Sequence, residues 1–150
     1  AYVSQSQYIY DATVLDNLRV FDKSISVENI LKTIDFFHLD GIFNELSDGL
    51  STSISQISPT SKTTKNSIHL LRALIRQPRI LLIDDVLSQF SSEESLKLIN
   101  SIISCVPIVV FVSKNPDIIS FANRSLVLNK GNLVEVDTSN LIKNIKWIQI

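Results

Sequence analysis

The sequence predicts an α/β fold in which helices flank a mostly parallel sheet. Two short apolar runs, residues 80–83 and 108–112, are typical of strands that are buried on both faces. Residues with helical spacing precede the first run and separate it from the second. Because strands that alternate with helices favour parallel pairing, the order helical insert (27–77), strand, helix, strand, helix and hairpin indicates this class.

The elements before residue 47 follow from local signals. Residues 1–4 are predicted to be the end of a strand, and Thr13 to begin a short turn or helix. Ser26 is a favourable N-cap, and the apolar spacing after it predicts an amphipathic helix over residues 27–38 that ends at His38. Asp40 is predicted to cap a second short helix.

The elements after residue 47 are marked by polar residues and prolines. Residues 47–67 predict a loop that enters a helix near residue 61 or 62, and Pro78 ends that helix. The pair Ser91 and Glu94 forms a capping box that opens another helix. The remaining predictions are a short helix from Pro116, a hairpin over residues 126–134 with its turn at Gly131, and a terminal helix over residues 141–150 that carries Trp147.

Composition narrows the classes of function. The chain has 150 residues, a length that suits one domain, and its net charge of −1 does not suit a nucleic-acid-binding surface. Cys105 is the only cysteine, so an internal disulfide is excluded, a reducing compartment is favoured, and a small buried side chain is expected. The apolar runs are far shorter than the ~20 residues of a membrane-spanning helix, and the first residues do not resemble a signal peptide.

Two adjacent carboxylates, Asp84 and Asp85, follow the first apolar strand. Ligands of open α/β sheets bind beyond the carboxyl ends of strands, so this pair suits Mg²⁺ beside a nucleotide phosphate. A polar turn after a buried strand explains the same residues. Lys114 follows the second strand, and in a parallel sheet it would lie at the same edge as the carboxylates. The three glycines form neither of the common phosphate-binding loops, because no two have the required spacing.

Several motifs, taken in order, resemble the ATPase domain of ATP-binding cassette (ABC) exporters, and together they cover nearly the whole chain. Gln5 resembles the Q-loop glutamine, residues 70–74 resemble the L-A-R-A-L segment, and residues 80–84 resemble a Walker B strand. The other matching segments are residues 12–18, 46–54 and 122–135. The resemblance implies a partial P-loop NTPase (ABC ATPase) fold with an α-helical subdomain.

The resemblance divides the chain into a Q-loop strand and connector (1–21), a helical subdomain (22–77) and a Walker B and H-loop core with hairpin and tail (78–150). It also assigns the site residues by position. Asp84 would bind Mg²⁺, and Asp85 and Lys114 occupy the catalytic positions. The nucleotide-contacting positions fall on Gln5, Ser61, Ser88 and Ser91.

The chain departs from the family at most of these positions. The signature L-S-G-G-Q falls on residues 60–64, where only Ser61 is retained and the glycines are replaced by Lys62 and Thr63. Asp85 replaces the Walker B glutamate, and Lys114 replaces the H-loop histidine. A Walker A segment is absent, which favours the C-terminal portion of a longer transporter over a relic domain.

The resemblance implies that this chain is a fragment of the nucleotide-binding domain of an ABC exporter whose site is degenerate. ATP and Mg²⁺ would be cofactors of the full-length protein, with weak or no binding and no ATPase activity in this fragment alone. The implied partners are the transmembrane domain and a second nucleotide-binding domain at the cytoplasmic face of the membrane, and the fragment itself is expected to be soluble. The alternative is a catalytically inactive regulatory or scaffolding module that works through protein contacts.

Overall fold

The computed structural model describes residues 1–4, 6, 8–57 and 62–144, with side chains up to residue 142. The chain forms two compact units, Ala1–Phe111 and Val112–Ile150. The sequence-based division into connector, helical subdomain and core follows functional motifs, whereas the two units are defined by contacts within each. The sequence-based division therefore stays a prediction. Gln5, Ser61 and Trp147, which the sequence singled out, lie outside the described residues.

A three-stranded parallel sheet organises the first unit. Its strands are β1 (Tyr2–Val3), β2 (Ile80–Asp84) and β3 (Ile108–Val112), and β2 lies between the other two. The pairing of β1 with β2 is parallel, and it aligns Tyr2 with Leu82. The predicted α/β class, a parallel sheet with flanking helices, is confirmed.

One face of this sheet is exposed, which contradicts the prediction that both apolar strands are buried on both faces. In β2, Leu81 and Ile83 are at most 2% exposed, whereas Ile80 and Leu82 are 49% and 40% exposed. The amide of Ile108 donates to the carbonyl of Arg79, so Ile108 aligns with Ile80 and is exposed as well. The apolar runs therefore have the composition of strands covered on two sides, but one side is exposed. On the other side the residues of β2 are buried, whereas Val109 and Phe111 of β3 are half-buried.

Three short helices follow β1. Helix α1 (Val14–Arg19) begins where the Thr13 side chain accepts a hydrogen bond from the amide of Asp16, which confirms the predicted start. Helix α2 (Val27–Phe36) begins at the predicted Ser26 cap but ends two residues early, because His38 adopts a left-handed conformation with φ of 56°. Helix α3 (Asp40–Asn44) has Leu39 as its N-cap, so the predicted capping role of Asp40 is wrong.

Helix α4 (Lys62–Leu74) is the most deeply buried helix among those described. Nine of its residues are buried, and it packs against α1, α2, α3 and β1. It begins at the predicted position, and the chain leaves the helical conformation at Gln77, immediately before Pro78. The preceding loop contains two single 3₁₀ turns, Gly49–Ser51 and Ile54–Gln56.

Helix α5 (Ser92–Cys105) connects β2 to β3 and begins with the predicted capping box. Its last residue, Cys105, is exposed, so the expected burial of this side chain is wrong. Cys105 lies at the helix end with its Sγ 3.5 Å from the carbonyl oxygen of Ile102. Burial at a helix terminus depends on neighbouring elements, which local composition does not reveal.

The second unit contains a helix, a hairpin and a final helix. Helix α6 (Pro116–Ile119) has the predicted proline in its first turn, and its N-cap is Asn115. Strands β4 (Ser125–Asn129) and β5 (Asn132–Val136) pair in antiparallel fashion around a two-residue turn, which confirms the hairpin. Helix α7 (Thr138–Asn144) begins three residues before the predicted start. Within the described part of the chain, no helix has the length and apolar character needed to cross a membrane.

A buried histidine in α4 makes the stability of the fold dependent on pH. His69 is 3% exposed, and its Nδ1 atom has no hydrogen-bond partner. Burial and, to a smaller extent, the charge of Arg72 lower the pKa of His69 to about 4 from 6.5. The unfolded chain therefore binds a proton at mildly acidic pH that the folded chain does not bind.

We expect the free energy of unfolding to decrease as the pH falls from about 6.5 to about 4, by on the order of 2–3 kcal/mol. Urea unfolding of the wild type and of His69→Leu at several pH values in this window measures the effect, and the variant should lose most of this pH dependence. His38→Asn, a change at an exposed histidine, is the control and should behave as the wild type. Equal pH dependence in the wild type and His69→Leu would show that His69 is not responsible.

Candidate functional site

Asp84 is the last residue of β2 and lies on the exposed face of the sheet. The parallel register places Tyr2 on the same face, and its hydroxyl donates a hydrogen bond of 3.1 Å to Oδ2 of Asp84. This hydrogen bond, together with some burial and the carboxylate charge, raises the pKa of Tyr2. The Asp84 carboxylate is exposed, so one face of it remains accessible to solvent.

Asp85 starts a tight turn directly after the strand. Its backbone is left-handed, with φ of 52°, a conformation that Asp tolerates better than most residues with a Cβ atom. The Ser88 hydroxyl donates a hydrogen bond of 2.7 Å to the carbonyl of Asp85. The 3₁₀ turn Val86–Gln89 is anchored by Val86 and Leu87, both of which are buried. The two carboxylates are therefore carried by different backbone conformations, an extended one at Asp84 and a left-handed one at Asp85.

The beginning of α5 fixes the other end of this turn. The Ser91 hydroxyl accepts a hydrogen bond from the amide of Glu94, and the Glu94 carboxylate accepts one from the amide of Ser91. The buried hydroxyl of Ser95 lies 2.8 Å from the carbonyl oxygens of both Leu87 and Ser91. These contacts tie the turn to the helix independently of any ligand.

The first turn of helix α4 contacts the same 3₁₀ turn. The Thr63 hydroxyl donates a hydrogen bond of 3.2 Å to the carbonyl of Gln89. In the resemblance described above, Thr63 falls on a glycine of the family signature, and that assignment stays a prediction. Its hydroxyl is engaged within the chain, and its side chain occupies space that a glycine would leave open.

The structure brings part of the predicted site together. Asp84, Asp85, Ser88 and Ser91 lie in one strand–turn–helix segment. Lys114 is exposed and follows β3 in the second unit, so a site that it shares with the carboxylates stays a prediction. The roles of Gln5 and Ser61 also stay predictions, since both lie outside the described residues.

Sequence reasoning missed two residues that shape this site, Tyr2 and Ser95, and it named Thr63 without its hydrogen bond to the carbonyl of Gln89. The spacing of Ser95 four residues after Ser91 is a local signal, because a hydroxyl there can reach the carbonyl one helical turn earlier. Tyr2 gives no such signal. It is 82 positions from Asp84, and their contact follows only from the register between β1 and β2.

The residues at this site suit a magnesium ion only as part of a larger ligand set. Among the residues that the structure describes, no group of three or more His, Cys, Asp or Glu side chains could hold a metal ion. Mg²⁺ commonly takes one or two carboxylates together with water and substrate phosphates. An exposed Asp84 can supply one such carboxylate, so the chemistry fits even though a complete protein cage is absent from this part of the chain.

Comparison with other sequences identifies relatives over most of the chain, although no protein-family model matches it. A protein of Rickettsia typhi named as an export ATP-binding/permease protein is 30% identical over 137 residues, which are 89% of this chain and 24% of the relative. The lactococcin-A transport/processing ATP-binding protein LcnC of Lactococcus lactis subsp. lactis is 25% identical over 136 residues, which are 89% of this chain and 19% of that protein. The chain thus spans about a quarter or less of these curated relatives.

Comparison with solved structures supports the same fold. A bacterial Atm1-family ABC exporter with ATP bound matches with a TM-score of 0.80 and 16% sequence identity. The match covers 96% of this chain and 26% of the exporter chain. At this level of identity the likeness establishes the arrangement of helices and strands, and the chemistry depends on the individual residues.

The capping box leads to a stability prediction for this segment. Ser91→Ala should lower the free energy of unfolding by about 1 kcal/mol, because the amide of Glu94 loses its side-chain acceptor. Thermal or urea unfolding measures the change. Ser92→Ala is the matched control, since Ser92 is the exposed first residue of α5 and should change stability by less than about 0.5 kcal/mol. Equal effects of the two substitutions would contradict the capping role of Ser91.

Proposed function

We propose, on the basis that the homologues of this chain are ABC exporter ATP-binding/permease proteins, that it forms the C-terminal part of an exporter's nucleotide-binding domain. In this role the chain contributes to the binding of Mg²⁺–ATP and transmits that event to a membrane-spanning partner. The observation that carries the proposal is the position of Asp84, at the carboxyl end of a central parallel strand and on the exposed face of the sheet.

The chemistry of Asp84 fits a Walker B role. A carboxylate at this edge can bind Mg²⁺ directly or through water, and the nucleotide phosphates supply the remaining oxygen ligands. A Mg²⁺ ion held at Asp84 would supply positive charge that offsets the charge of the phosphates. Tyr2 holds the carboxylate in place through its hydrogen bond to Oδ2, so the neighbouring strand helps to orient the group that would bind the metal.

The exposed face of the sheet also supports the proposal. Ile80 and Leu82 form an apolar surface that leads to Asp84, and Ile108 and Val110 extend it. Burying apolar area stabilises a fold by about 25 cal/mol per Å², so this surface is better covered than exposed. The relatives are several times longer than this chain, and we propose that another part of the same domain covers this face and brings a phosphate-binding loop to Asp84.

Several substitutions support slow or absent hydrolysis at this site. Asp85 stands at the position of the general base and is one methylene shorter than glutamate, and a displacement of about 1 Å can reduce a rate by about 100-fold. Lys114, at the position of the H-loop histidine, has hydrogen-bond donors but no acceptor. Lys62 and Thr63 carry side chains where close approach of the backbone to a phosphate requires glycine.

The proposed partners rest on the resemblance of the motifs and on the names of the relatives. The segment from Tyr8 to Leu18 would meet a transmembrane domain, and Ser61 would contribute to a contact with nucleotide across a dimer of nucleotide-binding domains. Gln5 would link the metal and its water to this segment, and Ser88 and Ser91 would lie near the nucleotide. The chain would then work at the cytoplasmic face of a membrane as one part of a transporter.

We expect this chain alone to bind Mg²⁺–ATP more weakly than about 1 mM and to show no measurable ATPase activity, because it lacks a phosphate-binding loop. Isothermal titration calorimetry and a phosphate-release assay check this expectation. A polypeptide that also contains the upstream part of the domain should bind Mg²⁺–ATP, and Asp84→Asn should weaken its Mg²⁺-dependent binding at least tenfold. Asp35→Asn, a change at an exposed aspartate in α2, is the control.

Saturable micromolar binding of ATP by this chain alone would contradict the proposed dependence on another segment. Unchanged binding after Asp84→Asn in the longer polypeptide would contradict the role of Asp84.

The substituted signature positions favour a second candidate, a scaffolding module that uses protein contacts only. Partner binding that is unaffected by Asp84→Ala, in a longer polypeptide that does not bind nucleotide, would support that candidate instead.

A further inference from the structure

Arg72 connects α4 to residues 8–21, a segment that contains α1 and is called the α1 segment below. Its Nε atom donates a hydrogen bond of 2.7 Å to the carbonyl of Asn17, and Nη1 donates one of 2.6 Å to the carbonyl of Tyr8. Its Nη2 atom donates to Oδ1 of Asn17. One guanidinium therefore holds three acceptors that lie 55 and 64 positions away in the sequence.

The side chain of Asn17 forms hydrogen bonds with other residues of the α1 segment. It is completely buried, and its Nδ2 atom donates to the carbonyls of Tyr10 and Thr13 at 3.0 and 2.8 Å. Its Oδ1 atom accepts the amide of Tyr10 at 2.9 Å in addition to the contact from Arg72. The conformation of the segment thus depends on one buried amide group whose oxygen is bound by Arg72.

Loss of the acceptors around the Arg72 guanidinium would be energetically unfavourable, because its charge is partly buried. Burial lowers the pKa of Arg72, but a guanidinium stays protonated under all physiological conditions. Its charge is compensated by carbonyl oxygens and by the Tyr10 ring, whose centroid lies 5.4 Å from the guanidinium carbon. A partly buried charge without these acceptors would be destabilising, so the segment and the side chain hold each other in place.

The segment that Arg72 holds presents aromatic rings to solvent. Tyr10 contacts Tyr8 and Phe21 in edge-to-face arrangements, each with a centroid separation of 5.2 Å. Tyr8 is 73% exposed and Phe21 is 55% exposed. We call Tyr8, Tyr10 and Phe21 the aromatic surface. Exposed aromatic clusters of this kind are enriched where proteins bind partners.

The opposite end of α4 contacts the turn after the Asp pair through the hydrogen bond from Thr63 to Gln89. Arg72 is nine positions after Thr63, which corresponds to about 14 Å along a helix. Because the helix between them is hydrogen-bonded and largely buried, a displacement of its first turn moves the Arg72 end as well. Helix α4 thus contacts the 3₁₀ turn Val86–Gln89 through Thr63 and the residues of the aromatic surface through Arg72.

We propose that Arg72 is a positioning residue that locks the aromatic surface to α4, so that a shift of the turn after Asp84 is transmitted to this surface. The functional meaning of this coupling rests on the proposed function, in which the turn responds to nucleotide. The contact itself does not rest on it. Lysine cannot replace Arg72, because a single ammonium group cannot reach the Tyr8 carbonyl and both oxygens of Asn17 in the same geometry.

Amide hydrogen exchange of this chain, measured by NMR, tests the lock. In Arg72→Lys the amide of Tyr10 should exchange about 10- to 100-fold faster, because hydrogen bonds to a charged group are lost while the positive charge is kept. The amide of Leu82, which bonds the carbonyl of Ala1 in the sheet, should change by less than about threefold. Arg76→Lys is the matched control, since Arg76 also donates to backbone carbonyls from the next turn, and it should leave Tyr10 unaffected.

The lock would be disproved by wild-type exchange of the Tyr10 amide in Arg72→Lys, by equal acceleration at Tyr10 and Leu82, or by the same acceleration in Arg76→Lys. Wild-type exchange would mean that the Arg72 contact does not hold the Tyr10 amide. Equal acceleration at Tyr10 and Leu82 would indicate general destabilisation. The same acceleration in Arg76→Lys would show that the effect is not specific to Arg72. Acceleration confined to Tyr10 and to Arg72→Lys supports the proposal.

A double-mutant cycle tests transmission along α4. The chain contains three tyrosines, so labelling with 3-fluorotyrosine gives three ¹⁹F signals. Thr63→Ala should shift the Tyr8 and Tyr10 signals in the wild type, and this shift should be at least halved in the Arg72→Lys background. Sites about 14 Å apart normally behave additively, so non-additivity is diagnostic.

Additive effects, or no shift of these signals in Thr63→Ala alone, would overturn transmission even where Arg72→Lys proves difficult to study. These results are independent of the nucleotide titrations described above. If ATP fails to bind the longer polypeptide, the proposed function fails, whereas the lock and the transmission are judged by exchange and ¹⁹F shifts alone.

Discussion

The burial of α4 is the constraint on which the first unit depends. This helix contacts α1, α2, α3, β1 and the turn after β2, so these elements are arranged around one cylinder. Its first half buries polar side chains, which is unfavourable unless they are hydrogen-bonded, and Ser67 meets this condition by donating to the carbonyl of Thr63. A helix that is enclosed in this way cannot rotate or shift without moving its neighbours, and this is the physical basis of the coupling that we propose between its two ends.

The elements that the sequence predicted well are those encoded within a few residues. The capping box of Ser91 and Glu94, the cap at Ser26, the proline at the start of α6 and the Gly131 turn each depend on neighbours along the chain. Their physical basis is a hydrogen bond or a dihedral preference that needs no tertiary contact. Such signals predict where an element begins better than how deeply it is buried.

The errors concern burial and helix ends, which are decided by distant parts of the chain. Residues 80–83 and 108–112 have the composition of fully enclosed strands, but their exposure depends on whether a second layer lies over them. The composition around Cys105 predicts a buried side chain, but this residue is exposed at the end of α5, where burial depends on the elements that pack against the helix. At the candidate site, the strand before Asp84 predicts this residue from the sequence, whereas the contact of Tyr2 depends on the register between β1 and β2. The resemblance to a family supplied the roles that local chemistry leaves open.

The exposed sheet face has a consequence for biosynthesis. Translation proceeds from the N-terminus, so a covering layer encoded upstream of this chain would already be outside the ribosome when β2 and β3 emerge. The apolar side chains of these strands would then meet a preformed surface rather than strands of other nascent chains, and the interval in which they can aggregate would be short. The order of the segments along the gene would in this way protect the least soluble part of the domain during its synthesis.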